Sequence, residues 1–148
     1  MAFTLLAASP AAGQTENVGG EMTDLASSIL LAFIVLSVKH TIADYVLQTQ
    51  YQFSNKGTYG HPGGLFHSGL HAILTLPVFL VLPPATMELA FAIIVGEFVI
   101  HYHIDWIKEQ LTKRYALKQS DQHFWNLFGI DQLAHSITYV AIIALLIR

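Results

Sequence analysis

The sequence predicts an all-α membrane protein: a four-transmembrane-helix bundle of up-down topology, preceded by a short N-terminal arm. Three observations predict it. Apolar residues make up 53% of the chain and charged residues only 11%, less than half the roughly 25% of an ordinary soluble domain, so too few charges are present for a water-facing skin. The charges that do occur are largely confined to the stretches between four long apolar segments. Each segment approaches the ~20 residues a helix needs to cross the hydrocarbon layer, and the alternation that would suggest a β-barrel is absent.

Residues 1–21 read as an arm outside the bundle, and 22–148 as one domain. The apolar run 3–8 is too short to span and no Lys or Arg precedes it. It therefore makes a poor signal peptide and a better flexible or interfacial arm. The first span runs over about 24–47. The second covers about 65–82 and stops at Pro83-Pro84, which no helix continues through. The third begins near Thr86 and runs to about Lys108, and the fourth covers about 124–147. Of the connections, that between the first two spans is polar and glycine-rich, and that between the last two is basic. Together they hold Lys56, Lys108, Lys113, Arg114 and Lys118, against Arg148 on the opposite side. The positive-inside rule puts both longer loops in the cytoplasm and both termini outside.

Composition also excludes functions. A net charge of −3 offers no basic face for a nucleic-acid partner. With no cysteine in the chain, disulfides, thiolate metal sites and cysteine nucleophiles are ruled out. Eight histidines in so apolar a sequence need an explanation.

Their spacing supplies one. The first span carries His40 and Asp44, the second His67 and His71, the third Glu97, His101 and Asp105, and the fourth Asp131 and His135. Every step is i, i+4, one turn along a single helix face. In an up-down bundle the four pairs also share a depth, in the cytoplasmic half, with Glu97 alone lying deeper. A charged side chain at the bilayer centre costs at least ~2.5–3.5 kcal/mol on insertion scales, so such groups face the interior, pair, or mark function. Inward His and carboxylate pairs on facing helices resemble the di-metal sites of soluble bundles. Imidazole with carboxylate suits a divalent metal, zinc first, with iron and manganese as alternatives. The expected ligands are His67, His71, His101, His135, Asp44, Asp105 and Asp131, with His40 in direct contact with the metal or supporting it. Glu97, or an unliganded Asp, is the expected general base.

Blander readings compete. One His–Asp pair alone is more simply a hydrogen-bonded structural couple, and a proton relay uses the same residue types. His103 falls on another side of its helix and reads as interfacial. His61 and His123 fall in loops and read as solvated, and Lys108 reads as snorkelling. Tyr45, Tyr51, Trp106, Tyr115 and Trp125 read as an aromatic belt. Gly64 and Gly69 would permit close helix contact.

The run His40-Thr-Ile-Ala-Asp44-Tyr-Val-Leu-Gln48, then Lys56, His67 and His71, resembles an uncharacterised bacterial integral-membrane family, the domain of unknown function 3307. The runs Glu97–Lys108 and Ile130-Asp131-Gln132-Leu-Ala-His135 resemble its second half, so the similarity covers about residues 30–140. More distantly the chain resembles membrane-bound metal-dependent hydrolase-like proteins. The resemblance implies a bacterial inner (cytoplasmic) membrane and a shared polar site, but no reaction. Two classes of function follow. The first is a metal-dependent hydrolase acting on a membrane-associated substrate. The second is a non-catalytic accessory subunit, metal-stapled or carrying a His–carboxylate proton network. The expected partners are the lipid bilayer and other membrane subunits or further copies of the chain.

Overall fold

The computed structural model describes residues 12–148, with side chains described from Gly20 onward. Helix α1 spans Ala12–Ile42 and runs on into a π-helical turn, Ala43–Leu47. Next come the short α2, Gln50–Asn55, and α3, Pro62–Ile73. A 3-10 turn, Leu76–Leu80, leads to α4, Met87–Arg114, and α5, Gln122–Leu146. No strand occurs among the described residues. The stretches Gly20–Leu47, Pro62–Leu80, Met87–Arg114 and Gln122–Leu146 are long and apolar enough to cross a membrane, which makes this an all-α membrane protein of four spans. Of the expected arm, residues 1–11 lie outside the described residues, and 12–21 form the first turns of α1.

Two elements depart from expectation. The segment between the first two spans is not all loop. Thr49 and Gln52 form a reciprocal capping box that starts α2, satisfying two otherwise orphaned donors. The second span is not one continuous α-helix either. Pro77 has no N–H and its ring would strike the carbonyl four residues back, so α3 ends at Ile73 and the chain tightens into the 3-10 turn.

The helices form a ring in which α3 packs on α4, α4 on α5 and α5 on α1, while α1 also meets the 3-10 turn. One half of the bundle is filled by Ala32, Leu36, Val78, Ile93, Ile142 and Ile143. The other half, toward the end where α1 leads to α3 and α4 leads to α5, holds the buried polar residues. Outward-facing Leu80, Met87 and Phe91 are 88%, 80% and 71% exposed. Against lipid tails, which are as apolar as leucine, that exposure carries no hydration cost.

Candidate metal centre

Four helices bring five imidazoles and three carboxylates into one cluster. From α1, His40 points inward, and the π turn that follows places Asp44 between helices. Asp44 Oδ1 lies 3.1 Å from His71 Nε2 and 3.2 Å from His67 Nε2, and its Oδ2 lies 3.1 Å from His40 Nε2. A π turn adds a residue to the helical repeat, and such turns are common at functional sites. From α3, His67 and His71 are both 0% exposed. From α4, Asp105 Oδ2 is 3.2 Å from His67 Nε2 and 3.6 Å from His101 Nε2. From α5, His135 Nε2 is 3.7 Å from both Asp105 Oδ1 and Asp131 Oδ1. The rings of His71 and His101 stack at 3.7 Å, and those of His101 and His135 lie 4.3 Å apart.

Three overlapping groups of potential ligand atoms lie within 4.8 Å of one another: Asp44, His67, His71 and His101; His40, His101 and His135; and Asp105, Asp131 and His135. All eight residues singled out by spacing as ligands therefore meet. Glu97 belongs to none of these groups.

The donor atoms fit a cation better than they fit each other. His40 Nε2, His101 Nε2, Asp105 Oδ2 and Asp131 Oδ1 are buried and make no hydrogen bond, although oxygen or nitrogen neighbours stand 3.1–3.7 Å away. Native interiors seldom leave such groups unpaired. Atoms bound to one ion at about 2.0–2.2 Å stand roughly 3.0–3.6 Å apart, the spacing found here. His40 also has its other nitrogen occupied, Nδ1 lying 2.7 Å from the Tyr139 hydroxyl. An outer partner of this kind orients a ligating imidazole.

Several supporting residues escape a search for His–carboxylate pairs. Tyr139 extends the series Asp131, His135 by one more i+4 step, and Gln48 extends His40, Asp44 in the same way. Gln48 Nε2 stands 3.3 Å from the His67 ring nitrogens. Lys56, expected in a loop, is 7% exposed and reaches Asp105 Oδ2 at 3.4 Å. Burial works against its charge, but Asp105, Asp44, Asp131 and Glu109 outweigh it and raise the Lys56 ammonium above its usual range. Gln48 and Lys56 both lie in the stretch that carries the family resemblance, and there a signal for them was present.

Lys39 is the largest omission. It is 5% exposed, and its Nζ pairs with Glu97 Oε1 and donates to the His71 carbonyl at 3.1 Å. That carbonyl is free because the Thr75 N–H turns to Ala72 O where α3 ends. Thr75 Oγ1 reaches Glu97 Oε2 and also lies 3.2 Å from His71 O. A hydroxyl has one proton, and it goes to the nearer Glu97, so Lys39 serves the carbonyl. Glu97, expected as a free base, is thus held between a cation and a hydroxyl beneath the cluster.

The remaining histidines stand apart. His61 caps α3, its Nδ1 accepting from Gly63 N at 3.1 Å, so it is structured where a solvated loop residue was expected. His103 joins Tyr59 at the aromatic rim, and His123 is exposed. Lys108 pairs with its neighbour Glu109. Gly64 makes the close contact expected of it: a Cβ there would sit 3.2 Å from Lys56 Cα and from Tyr102 Cε2. At Gly69 the nearest atom, on Phe98, would be 3.9 Å away.

No curated protein and no solved structure matches the chain. A family model does, over residues 31–148, from the start of the first span's inward-facing half to the C-terminus. The chain belongs to the family described as protein of unknown function, DUF3307.

Proposed function

We propose that this protein is a metalloprotein of the bacterial inner membrane. It holds one or two divalent ions, zinc ahead of iron or manganese, near the cytoplasmic face, with both termini outside. The observation that carries this reading is the set of buried ring nitrogens and carboxylate oxygens that converge without hydrogen-bonding. Charge supports it. Lys39 balances Glu97, which leaves Asp44, Asp105 and Asp131 against Lys56 alone. The excess of two negative charges in a buried site requires compensation, and one dication supplies it.

When bound, such an ion supplies a Lewis acid that polarises an ester or phosphoester oxygen and acidifies water, which suits a hydrolase acting on a membrane-associated substrate. In that reaction His67, His71, His101 and Asp44 hold and orient the ion. Glu97 is engaged by Lys39 and Thr75, so the proton-accepting role falls to Asp131. Its Oδ1 is unpaired and its Oδ2 accepts from Gln132 at 3.1 Å. The alternative, a non-catalytic subunit in which the ion staples four helices or the cluster relays protons, draws on one observation: α2 and its flanks cover one end of the site.

The test is metal content per chain, by elemental mass spectrometry on protein purified gently in detergent without chelators. About one to two equivalents are expected, lost in a His67→Ala, His101→Ala double variant. A metal-free wild-type protein overturns the proposal.

A further inference from the structure

The ends of the bundle do not lead to the cluster. At one end the segment 48–61 is tied down over it. Gln48 meets His67 and Lys56 meets Asp105, while Gln110 Nε2 donates to Gly57 O and Gly60 N donates to the Tyr102 hydroxyl, both at 2.6 Å. At the other end lies the apolar packing of Leu36, Val78 and Ile142. What opens onto the cluster is a cavity of about 160 Å³ in the side wall between α1 and α5. Buried His40 and His135 lie at its inner side, and the half-buried or exposed Ser37, Thr41, Gln132 and Ser136 line its outer part. His40 Nε2, buried and without a hydrogen bond, belongs to the same cavity. Around it the outer faces of both helices are apolar, with Ile34, Val38, Ile137 and Val140 exposed at 56%, 51%, 59% and 56%.

The polar groups of this slot have one hydrogen-bonding character. Ser37, Thr41 and Ser136 each donate their hydroxyl proton to a carbonyl one turn back, at 2.8, 3.1 and 2.9 Å. Gln132 Nε2 donates to Asp131. Their protons are committed, so what they offer a visitor is oxygen lone pairs. A slot of acceptors in a hydrocarbon-facing wall matches a ligand that brings donors and arrives through the membrane.

We infer that the slot between α1 and α5 is a lateral entry site for a membrane lipid with a hydroxyl-bearing polar head, which it delivers to His40 and His135. The inference rests on the metal reading in one respect only, namely what the head meets at the inner side. The hydroxyls donate to the Ser37, Thr41, Gln132 and Ser136 oxygens, and the acyl chains stay in the bilayer against Val38 and Ile137. A headgroup without hydroxyls leaves those oxygens unpaired.

The chain has no cysteine, so benzophenone can be attached at Thr41→Cys in the slot and at Ile137→Cys on the neighbouring lipid-facing surface. In phosphatidylcholine nanodiscs containing phosphatidylglycerol, the probe at 41 is expected to capture phosphatidylglycerol about tenfold above its mole fraction, the scale of one to two hydrogen bonds in a dry site. The probe at 137 is expected to capture lipids in proportion. Phosphatidylmethanol, anionic but without a hydroxyl, controls for charge, and excess glycerol for a water-borne polyol. Ser136→Trp, which fills the slot, should abolish the enrichment. Equal capture at 41 and 137, equal capture of phosphatidylmethanol, displacement by glycerol, or a protein–protein adduct at 41 in place of lipid would each overturn the inference. Capture needs no metal, so enrichment on a metal-free protein would fail the metal reading alone, and a metal-loaded protein without enrichment would fail the entry site alone.

Discussion

Replacing Lys39 by Met keeps the length and apolar stem of the side chain and removes one ammonium. The loss falls on two partners. Glu97, 2% exposed, loses its counter-charge and keeps only the Thr75 hydroxyl. The His71 carbonyl, freed where α3 ends, loses the Nζ donor at 3.1 Å. Removing one member of a buried ion pair costs about 3–5 kcal/mol in soluble proteins, whereas single interhelical hydrogen bonds in membranes average about 0.6 kcal/mol. Uptake of a proton by the stranded carboxyl limits the first figure. Lys39→Met should therefore destabilise by about 2–4 kcal/mol. Glu97→Gln in the same background should recover part of that, because the neutral amide no longer needs a cation and its oxygen still accepts from Thr75. The assay is reversible unfolding in mixed micelles, followed by the fluorescence of the two tryptophans, for both singles and the double. A Lys39→Met protein within about 0.5 kcal/mol of wild type, or a double variant whose loss equals the sum of the singles, would refute the account of Lys39 and Glu97 as one coupled unit closing the broken helix.

Other expectations follow from the same geometry. Tyr139→Phe removes the hydroxyl that orients His40 and should weaken metal binding by about 10-fold or more, read by competition with a chromogenic chelator. A Cβ at Gly64 meets the Lys56 backbone, so Gly64→Ala should cost about 1–3 kcal/mol, whereas Gly69→Ala should be nearly neutral in the same melts. The Lys56 ammonium, raised above its ordinary value of about 10.4, stabilises the metal-free fold fully below that pH, and the contribution fades only as pH rises through the raised value. Lys56→Met should therefore lower the melting temperature at neutral pH, and the gap to wild type should narrow only in strong alkali. A gap that closes near neutrality would contradict the pairing with Asp105.

The bundle was legible because lipid enforces a simple code: length and apolarity mark the spans, and an i, i+4 pair of ionisable groups has only the interior to face. That code found His40 through His135 but was read only for histidines and carboxylates. Tyr139 and Gln48 sit at the next i+4 step and were there to be seen. Lys39 was harder, because its place depends on Glu97 from a distant helix and on a carbonyl released by Pro77. The same break explains why Glu97 looked like a free base. In the sequence it is a lone acid at mid-membrane, and only the packed bundle supplies its cation. The position of Lys56 over the cluster likewise depends on α2, a six-residue helix whose capping box is weak evidence until tertiary packing backs it.

The π turn at Ala43–Leu47 makes the chain sensitive to its own length there. It holds one residue more per turn than the α-helix that leads into it. Deleting a single residue would let the segment rewind, turning everything after it by about 100° and drawing it back about 1.5 Å. Gln48 would leave His67 and Lys56 would leave Asp105 together, while the four spans kept their lengths and apolar faces. The cover over the polar cluster is thus keyed to residue count more than to residue identity. Many substitutions on the outward side of this turn should pass unnoticed, and the loss of one residue should not.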